Sequence, residues 1–518
     1  MRYDPVFGIE TEYGVLGDSR NAVELSSAVV AAYKRLTPEL VAPWDFASED
    51  PLNDSRGFRL DRAAAHPSQL TDRPTLAAGV NTPRGTEDRT GPGAAMLANG
   101  ARLYVDHAHP EYATPEVTSA REAALWDRAG EWVMARASQA LVEAGRKVSL
   151  YKNNTDGKGA SYGTHENYLV PRSVPWELLT QFMMPFLVTR QIFTGSGRVG
   201  LGQRSEEAGF QLSQRADFVE AETGLETTLN RPIVNTRDEP HADPTSWRRL
   251  HVIVGDATMM DRATYLRLGT GALVLAALAA APVSDAAQFA SEVALRSPVE
   301  TFAQVSRDLS VSEQLELTGG PPLRALDIQR LYLGFVNRHL DNLDCEWVDL
   351  ADRWAEVLDL LAADPLSAGR QVEWVAKYSL LDGLRSRNQA GWDSPKLRAA
   401  DLRWTDVDPA VGLFRKLEAT GAVDSMFSEA DVAWAVANPP ESTRAYLKGQ
   451  ALRRFGTGVA AAGWDSLTLA TPNGHRRLVL GEPLAGSRAQ VEQAVGAASD
   501  AGELLDRLAE LGVGRVAL

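Results

Sequence analysis

The sequence predicts an α+β fold, and three observations carry the prediction. Short strand patterns with one polar face crowd the first half of the 518 residues. Helical periodicity fills the middle, and a short mixed segment closes the chain. In order, Phe7–Leu16 reads as the first strand and Ala22–Arg35 as a helix. From about Ala42 to Gly93 the texture turns to Pro, Gly, Asp and Arg, with Trp44, Phe46, Phe58 and Leu60 as anchors that a plain linker lacks. A stretch of that kind inside a folded domain reads as a mobile insertion with an anchoring motif. Strands are then expected at Arg102–Asp106, Val148–Tyr151 and Tyr162–Val170, with helices at Arg121–Ala144 and Trp176–Phe193. Short strands recur through Gly197–Val254, and helices dominate from Ala263 to about Pro439-Pro440. The last portion reads as a helix, strands near Trp464–Leu469 and Arg476–Leu480, and a final helix near Gln490–Leu511. The expected division is a large domain over 1–440, carrying the insertion, and a small C-terminal α+β domain over 441–518.

Composition narrows the function classes. Hydrophobic residues make up 44% and charged residues 23%, as in an ordinary soluble protein. A formal net charge of −15 argues against general nucleic-acid binding. Cys345 is the single cysteine, which excludes an intramolecular disulfide and a Cys-rich metal site. Met1–Tyr13 carries acids where a signal peptide carries bases, and the apolar run Ala272–Val283 is too short to span a bilayer. The expectation is a cytoplasmic enzyme with neither nucleic acid nor membrane as partner.

The chemistry lies in strands that are polar where strands are usually apolar. Side chains at i and i+2 share a strand face. Glu10 and Glu12 therefore point one way, and Arg102, Tyr104 and Asp106 face away from Leu103 and Val105. His165 pairs with Asn167 in the same manner, and Arg249 with His251. Taken singly, each such face could be solvated. Together they offer the carboxylate, imidazole and phenol donors that a divalent cation accepts, beside arginines and an asparagine suited to phosphates. A sheet face with both sets suits a metal–nucleotide complex.

Other stretches carry less. Gly195–Gly200 resembles a glycine-rich dinucleotide loop but opens no helix after a strand. Asp156-Gly157-Lys158-Gly159 is turn chemistry. Ser161 and His165 lack the nucleophile-elbow context. Asn235–Asp243 is dense in function-capable groups and is a candidate for the substrate side, whereas Trp464 on its own reads as core.

The chain resembles the Pup ligase/depupylase family, relatives of glutamine synthetase and glutamate–cysteine ligase. The resemblance runs through Gly8–Gly14, Asn99–Glu116, Tyr151–Leu169, Gly209–Val219, Pro232–Asp256, Thr443–Phe455 and Trp464-Asp465. It implies a glutamine-synthetase-like curved, largely antiparallel sheet packed with helices. Two features look like the depupylase branch: the 42–93 insertion, and Val105-Asp106-His107-Ala108-His109-Pro110-Glu111, where ligases have one more residue. Ile9-Glu10-Thr11-Glu12 is closer to the ligase wording. The resemblance therefore implies an ATP-requiring, magnesium-dependent isopeptidase that removes the modifier Pup from lysines and deamidates the C-terminal glutamine of Pup. Its partners would be Pup and pupylated proteins. The alternatives are the Pup–protein ligase and, more distantly, a small-molecule glutamate–amine ligase.

By the same resemblance, Glu10, Tyr104, Glu111, His165 and His251 would hold magnesium. Arg102, Thr114, Asn167 and Arg249 would hold the nucleotide, with Trp464 reaching it from the C-terminal domain and Asp106 as the catalytic residue. Position 113 is Ala, which leaves nucleotide contact in that turn to Thr114 or the backbone. Arg215, Arg237 and Arg248 are candidates for guiding Pup, and the insertion for a lid.

Overall fold

Strand β1 (Phe7–Glu12) lies in the middle of a nine-stranded sheet. The other strands are β2 (Val41–Pro43), β3 (Ala95–Leu97), β4 (Arg102–Asp106), β5 (His109–Ala113), β6 (Thr164–Pro171), β7 (Ala221–Gly224), β8 (Pro232–Asn235) and β9 (Trp247–Val252). Their order is β7-β8-β9-β6-β1-β5-β4-β3-β2, antiparallel throughout except for the β7–β8 pair. The computed structural model describes residues 5–66, 69, 70, 72 and 91–517.

Alternation splits the two faces of this sheet. Phe7, Ile9, Tyr168, Val170, Leu250 and Val252 enter the main apolar core. Helices α1 (Ala22–Leu36), α2 (Ala120–Glu143), α3 (Trp176–Thr189), α4 (Asp261–Ala280), α5 (Ala325–His339) and α6 (Cys345–Ala363) pack behind it and against one another. Asn21, Ser119 and Asp344 cap α1, α2 and α6 by accepting from first-turn backbone N–H groups. Helix α4 is apolar nearly all round. It starts well before the run noted in the sequence and is long and apolar enough to cross a membrane, yet 89% of that window is buried inside the fold.

The mixed α+β, largely antiparallel architecture agrees with the sequence reading; several boundaries do not. The expected strand Phe7–Leu16 stops at Glu12. Tyr13 N donates to Pro110 O, and Gly14–Gly17 pairs instead with Val148–Tyr151. A Cβ at Gly14 would sit 2.5 Å from the Tyr162 hydroxyl, so the close approach at this bend requires glycine.

Beyond Thr443 come α7 (Ala445–Phe455), a second sheet β10-β11-β12-β13 (Val459–Ala462, Ser466–Thr471, Gly474–Val479, Arg515–Ala517), and helices α8 (Arg488–Ala497) and α9 (Ala501–Glu510). The single expected helix Gln490–Leu511 is thus two. The break falls where Asp500 turns to cap α9, accepting from Gly502 N at 2.8 Å and Glu503 N at 2.9 Å. The core of this portion also takes in Ala42, Trp44 and Met96 from the edge of the large sheet.

The insertion leaves the sheet through β2 and returns through β3. Its described part is tied to the 235–243 segment: Asp54 accepts from Thr236 Oγ1 at 2.7 Å, Ser55 N donates to Thr236 O at 2.8 Å, and Asn53 Nδ2 to Asp238 O at 3.0 Å. The expectation of mobility falls partly on 67–68, 71 and 73–90, outside the described residues.

Candidate active site

The face of the large sheet opposite the main core carries the polar side chains in rows set by strand register. His165, Glu10, Ala113 and Arg102 lie side by side across β6, β1, β5 and β4. Glu12, Glu111 and Tyr104 form the next row, and His251, Asn167 and Gly8 a third. Ala113 stands between Glu10 and Arg102, where its small side chain leaves room between two charges. Asp106 ends β4 opposite His109.

Asp106 and every residue predicted to hold the metal or the nucleotide line one or both of two adjoining cavities. The first, of about 590 Å³, is bounded by Gly8, Thr114, Asn167, Arg444, Trp464 and Pro483. The second, of about 1580 Å³, takes in Arg102, Tyr104, Asp106, Glu111, His165 and His251. Glu10, His241, Arg249 and Trp464 line both. Thr114 also closes the β1 edge, its Oγ1 accepting from Ile9 N at 3.1 Å.

Two groups of potential ligands stand out. Glu10, His165 and His251 bring their ligand atoms within 4.8 Å of one another, and so do Glu12, Asp106 and Glu111. His165 Nδ1 is 3.4 Å from Glu10 Oε2, and His251 Nδ1 is 2.7 Å from Asn167 Oδ1. Burial, with Arg249, His165 and Arg237 nearby, holds the His251 imidazole well below its usual pKa and therefore neutral. Burial, with the negative charges of Asp106, Glu12 and Glu10, pushes the Glu111 carboxyl well up. Glu111 Oε2 is buried with no hydrogen-bond partner among the described residues. Carboxylates crowded this way are uphill unless protons or a cation balance them, so the donor set fits a divalent cation. Tyr104 faces Glu111 across the β4–β5 ladder, and the Arg102 guanidinium lies 4.1 Å from its ring centroid.

Asp106 differs from Glu111. Burial raises its carboxyl, but the His107 hydrogen bond and the charges of His107, His165 and Arg237 outweigh this, and its pKa falls below the ordinary value. His107 Nδ1 stands 2.9 Å from Asp106 Oδ2. On the cation side, Arg102, Arg237 and Arg249 each keep a buried Nε without an acceptor among the described residues. Buried guanidinium donors left over in a cleft suit an anionic ligand.

The insertion contributes Glu49, which the sequence reading missed, and it meets Glu239 and His241 of the 235–243 segment. Glu49 accepts from Trp44 Nε1 at 2.9 Å and pairs with Arg102 at 3.4 Å; Glu239 pairs with Arg249 at 3.2 Å. With His241 these carboxylates form a third cluster. Burial, opposed by Arg102 and aided by Glu239, brings the Glu49 carboxyl up to about 7. Of the three arginines expected to guide Pup, Arg237 lines the larger cavity and the other two do not. Arg215 is spent on backbone, donating to Ile253 O at 2.9 Å and to Tyr162 O. Arg248 sits on the opposite face of β9 from Arg249, its guanidinium 5.8 Å from the Trp176 ring centroid.

A Pup-ligase protein family model matches residues 5–468. The depupylase of Acidothermus cellulolyticus is 46% identical over 516 residues, covering 97% of this chain and 96% of the relative. This chain belongs to the Pup-ligase protein family. Within that family, the Pup–protein ligase of Mycobacterium ulcerans is 39% identical over 381 residues, 71% of this chain and 81% of the ligase. Among solved structures, the Pup ligase PafA in complex with Pup matches with a TM-score of 0.74 at 30% identity, covering 98% of this chain and 95% of that one. PafA in complex with ADP matches with a TM-score of 0.68 at 32% identity, covering 78% and 89%.

One glycine underwrites the group of Glu10, His165 and His251. A Cβ at Gly163 would collide with the His165 imidazole. Gly163→Ala should fold, because the clash is with a side chain, yet lose activity by about tenfold to a hundredfold through displacement of that ring. Circular dichroism and turnover measured on the same preparation check this; near-normal turnover would show that His165 is not needed where it stands.

Proposed function

We propose that this protein is a depupylase: an ATP-requiring, magnesium-dependent isopeptidase that frees Pup from lysine side chains and deamidates a C-terminal glutamine of Pup. The observation that carries the reading is the sequence likeness, 46% identity over 97% of the chain to a depupylase against 39% over 71% to a ligase. The described insertion supports it, because Glu49 lines the larger cavity and pairs with Arg102, whose guanidinium lies 4.4 Å from the Trp44 ring centroid.

Residues 1–440 would form the catalytic domain and 441–518 the small domain that completes the first cavity. That cavity suits a nucleoside, between the sheet and Trp464. Arg102, Thr114, Asn167 and Arg249 would take the nucleotide's phosphates and ribose; a PafA relative was solved with ADP. Glu10, Tyr104, Glu111, His165 and His251 would hold magnesium, with Glu12 beside them. Bound there, the ion supplies positive charge that neutralises phosphate and polarises the substrate carbonyl. Asn167 on Nδ1 of His251 sets that ring's tautomer, which leaves Nε2 as the ligating nitrogen.

Asp106 carries the chemistry. Its ionised carboxylate either attacks the Pup carbonyl or takes a proton from the attacking water. The amide C–N bond breaks, one water is consumed, and lysine amine or ammonia leaves with a proton. Both routes need the carboxylate charged, as the His107 contact and surrounding cations favour. Amide hydrolysis is downhill, so ATP acts as a retained cofactor. Arg237 stands where it can meet the acidic end of Pup. A soluble cytoplasmic location fits these partners.

The test is a gel assay with ATP, magnesium and a pupylated protein, run beside free Pup plus an unmodified protein. Release of Pup in the first reaction is expected. A conjugate in the second, with ADP formed in proportion, would make the chain a ligase instead.

A further inference from the structure

We propose that Lys448 is a positioning residue for the nucleotide cavity, setting Trp464 against it from behind through the two carbonyls of the Gly463–Trp464 turn. The inference rests on the nucleotide reading above. Lys448 projects from α7, and its side chain is 1% exposed. It does not line the cavity; Trp464, Arg444 and Glu116 do. Its Nζ donates to Trp464 O at 2.7 Å and to Gly463 O at 3.2 Å, and lies 5.8 Å from the Trp464 ring centroid. The turn that these carbonyls belong to joins β10 to β11 and carries the indole to the cavity wall. The ring packs edge-on against Trp44, with centroids 5.0 Å apart.

The charge shares a counter-ion with Arg444. Glu116 Oε1 lies 3.7 Å from Lys448 Nζ and accepts from Arg444 Nε at 2.8 Å. Glu116 follows β5, and its backbone oxygen accepts from Thr443 Oγ1 at 2.9 Å. A single carboxylate thus ties the large sheet to α7, and α7 ties the Trp464 turn through Lys448. Burying an ammonium is costly, and burial brings this one down to about 8. A leucine on α7 would fill the space without that cost but would leave both turn carbonyls without their donor. Because Arg444 stays on Glu116, removing Lys448 leaves no bare carboxylate, and the fold should survive.

The experiment is calorimetric titration of the full-length protein with ADP in magnesium buffer, using wild type, Lys448→Met, Trp464→Ala and the double variant. Lys448→Met should weaken ADP binding roughly tenfold. In the Trp464→Ala background the same change should add less than about twofold, since its effect passes through that ring. Steady-state kinetics should show a raised KM for ATP with kcat nearly unchanged at saturation. If Lys448→Met does not fold, Lys448→Gln, which keeps one donor, is read in its place. Unchanged ADP affinity in Lys448→Met, or an equal loss in both backgrounds, overturns the inference. Wild-type protein that fails to bind ADP overturns the nucleotide reading beneath it.

Discussion

Asp106→Asn should leave a folded protein that binds ATP normally and hydrolyses the Pup–lysine bond at least ~10²-fold more slowly. Asn keeps the size and one hydrogen-bond acceptor of Asp106 but has no charge to attack a carbonyl or to take a proton. The change also removes one negative charge from beside Glu111 and Glu12, so stability should hold or rise. Turnover of a pupylated substrate, with ATP titrated in parallel, separates the two effects. Activity within about threefold of wild type would exclude Asp106 as the reacting group and move attention to Glu12, which faces the same cluster.

The second large effect lies on the other side of β6. Glu166 points away from His165 and Asn167 into the core, where Arg190 grips it with bonds of 2.6 and 2.9 Å. Their side chains are 3% and 0% exposed. Tyr168 Oη donates to the same carboxylate at 2.7 Å. Arg190→Met should cost about 3–5 kcal/mol of stability, because it strands a buried carboxylate. The double variant with Glu166→Gln should recover part of the loss, since no unpaired charge remains. Chemical denaturation of the three proteins checks both statements. A loss below about 1 kcal/mol for Arg190→Met would mean that Tyr168 and Arg267, whose Nε lies 3.7 Å from Glu166 Oε1, suffice to hold the carboxylate.

Much of the candidate site was legible because strands alternate. Glu10, Tyr104, Asp106, His165, Asn167, Arg249 and His251 could be sorted to a face from i, i+2 spacing alone, and the structure puts them on one sheet face. The same rule should have removed Arg248, which neighbours Arg249 and must therefore point the other way. Arg215 lies in a turn, where no alternation exists to read. Register was not legible, since which residue of β5 stands beside Glu10 depends on the hairpin and on partners far along the chain. Glu49 was beyond reach for a different reason. It comes from an irregular stretch whose position is set by tertiary bonds to residues 235–243 and by Trp44. The starts of the helices at Ala22 and Ala120 were legible to within a residue, because the caps Asn21 and Ser119 are local. The break at Ala498–Asp500 was missed because apolar residues continue on both sides of it.

The central place of β1 has a consequence for how the molecule is made. It is translated before both of the strands that fill its edges, β5 on one side and β6 on the other. Until then it is an unpaired strand of a kind that cells must keep from associating. The wall that Trp464 adds over Gly8 comes later still, about 350 residues after β5. A growing polypeptide therefore carries Asp106 and its carboxylates long before it carries the residues that close the first cavity. On the proposed reading, the hydrolytic groups are thus translated before the wall that completes nucleotide capture.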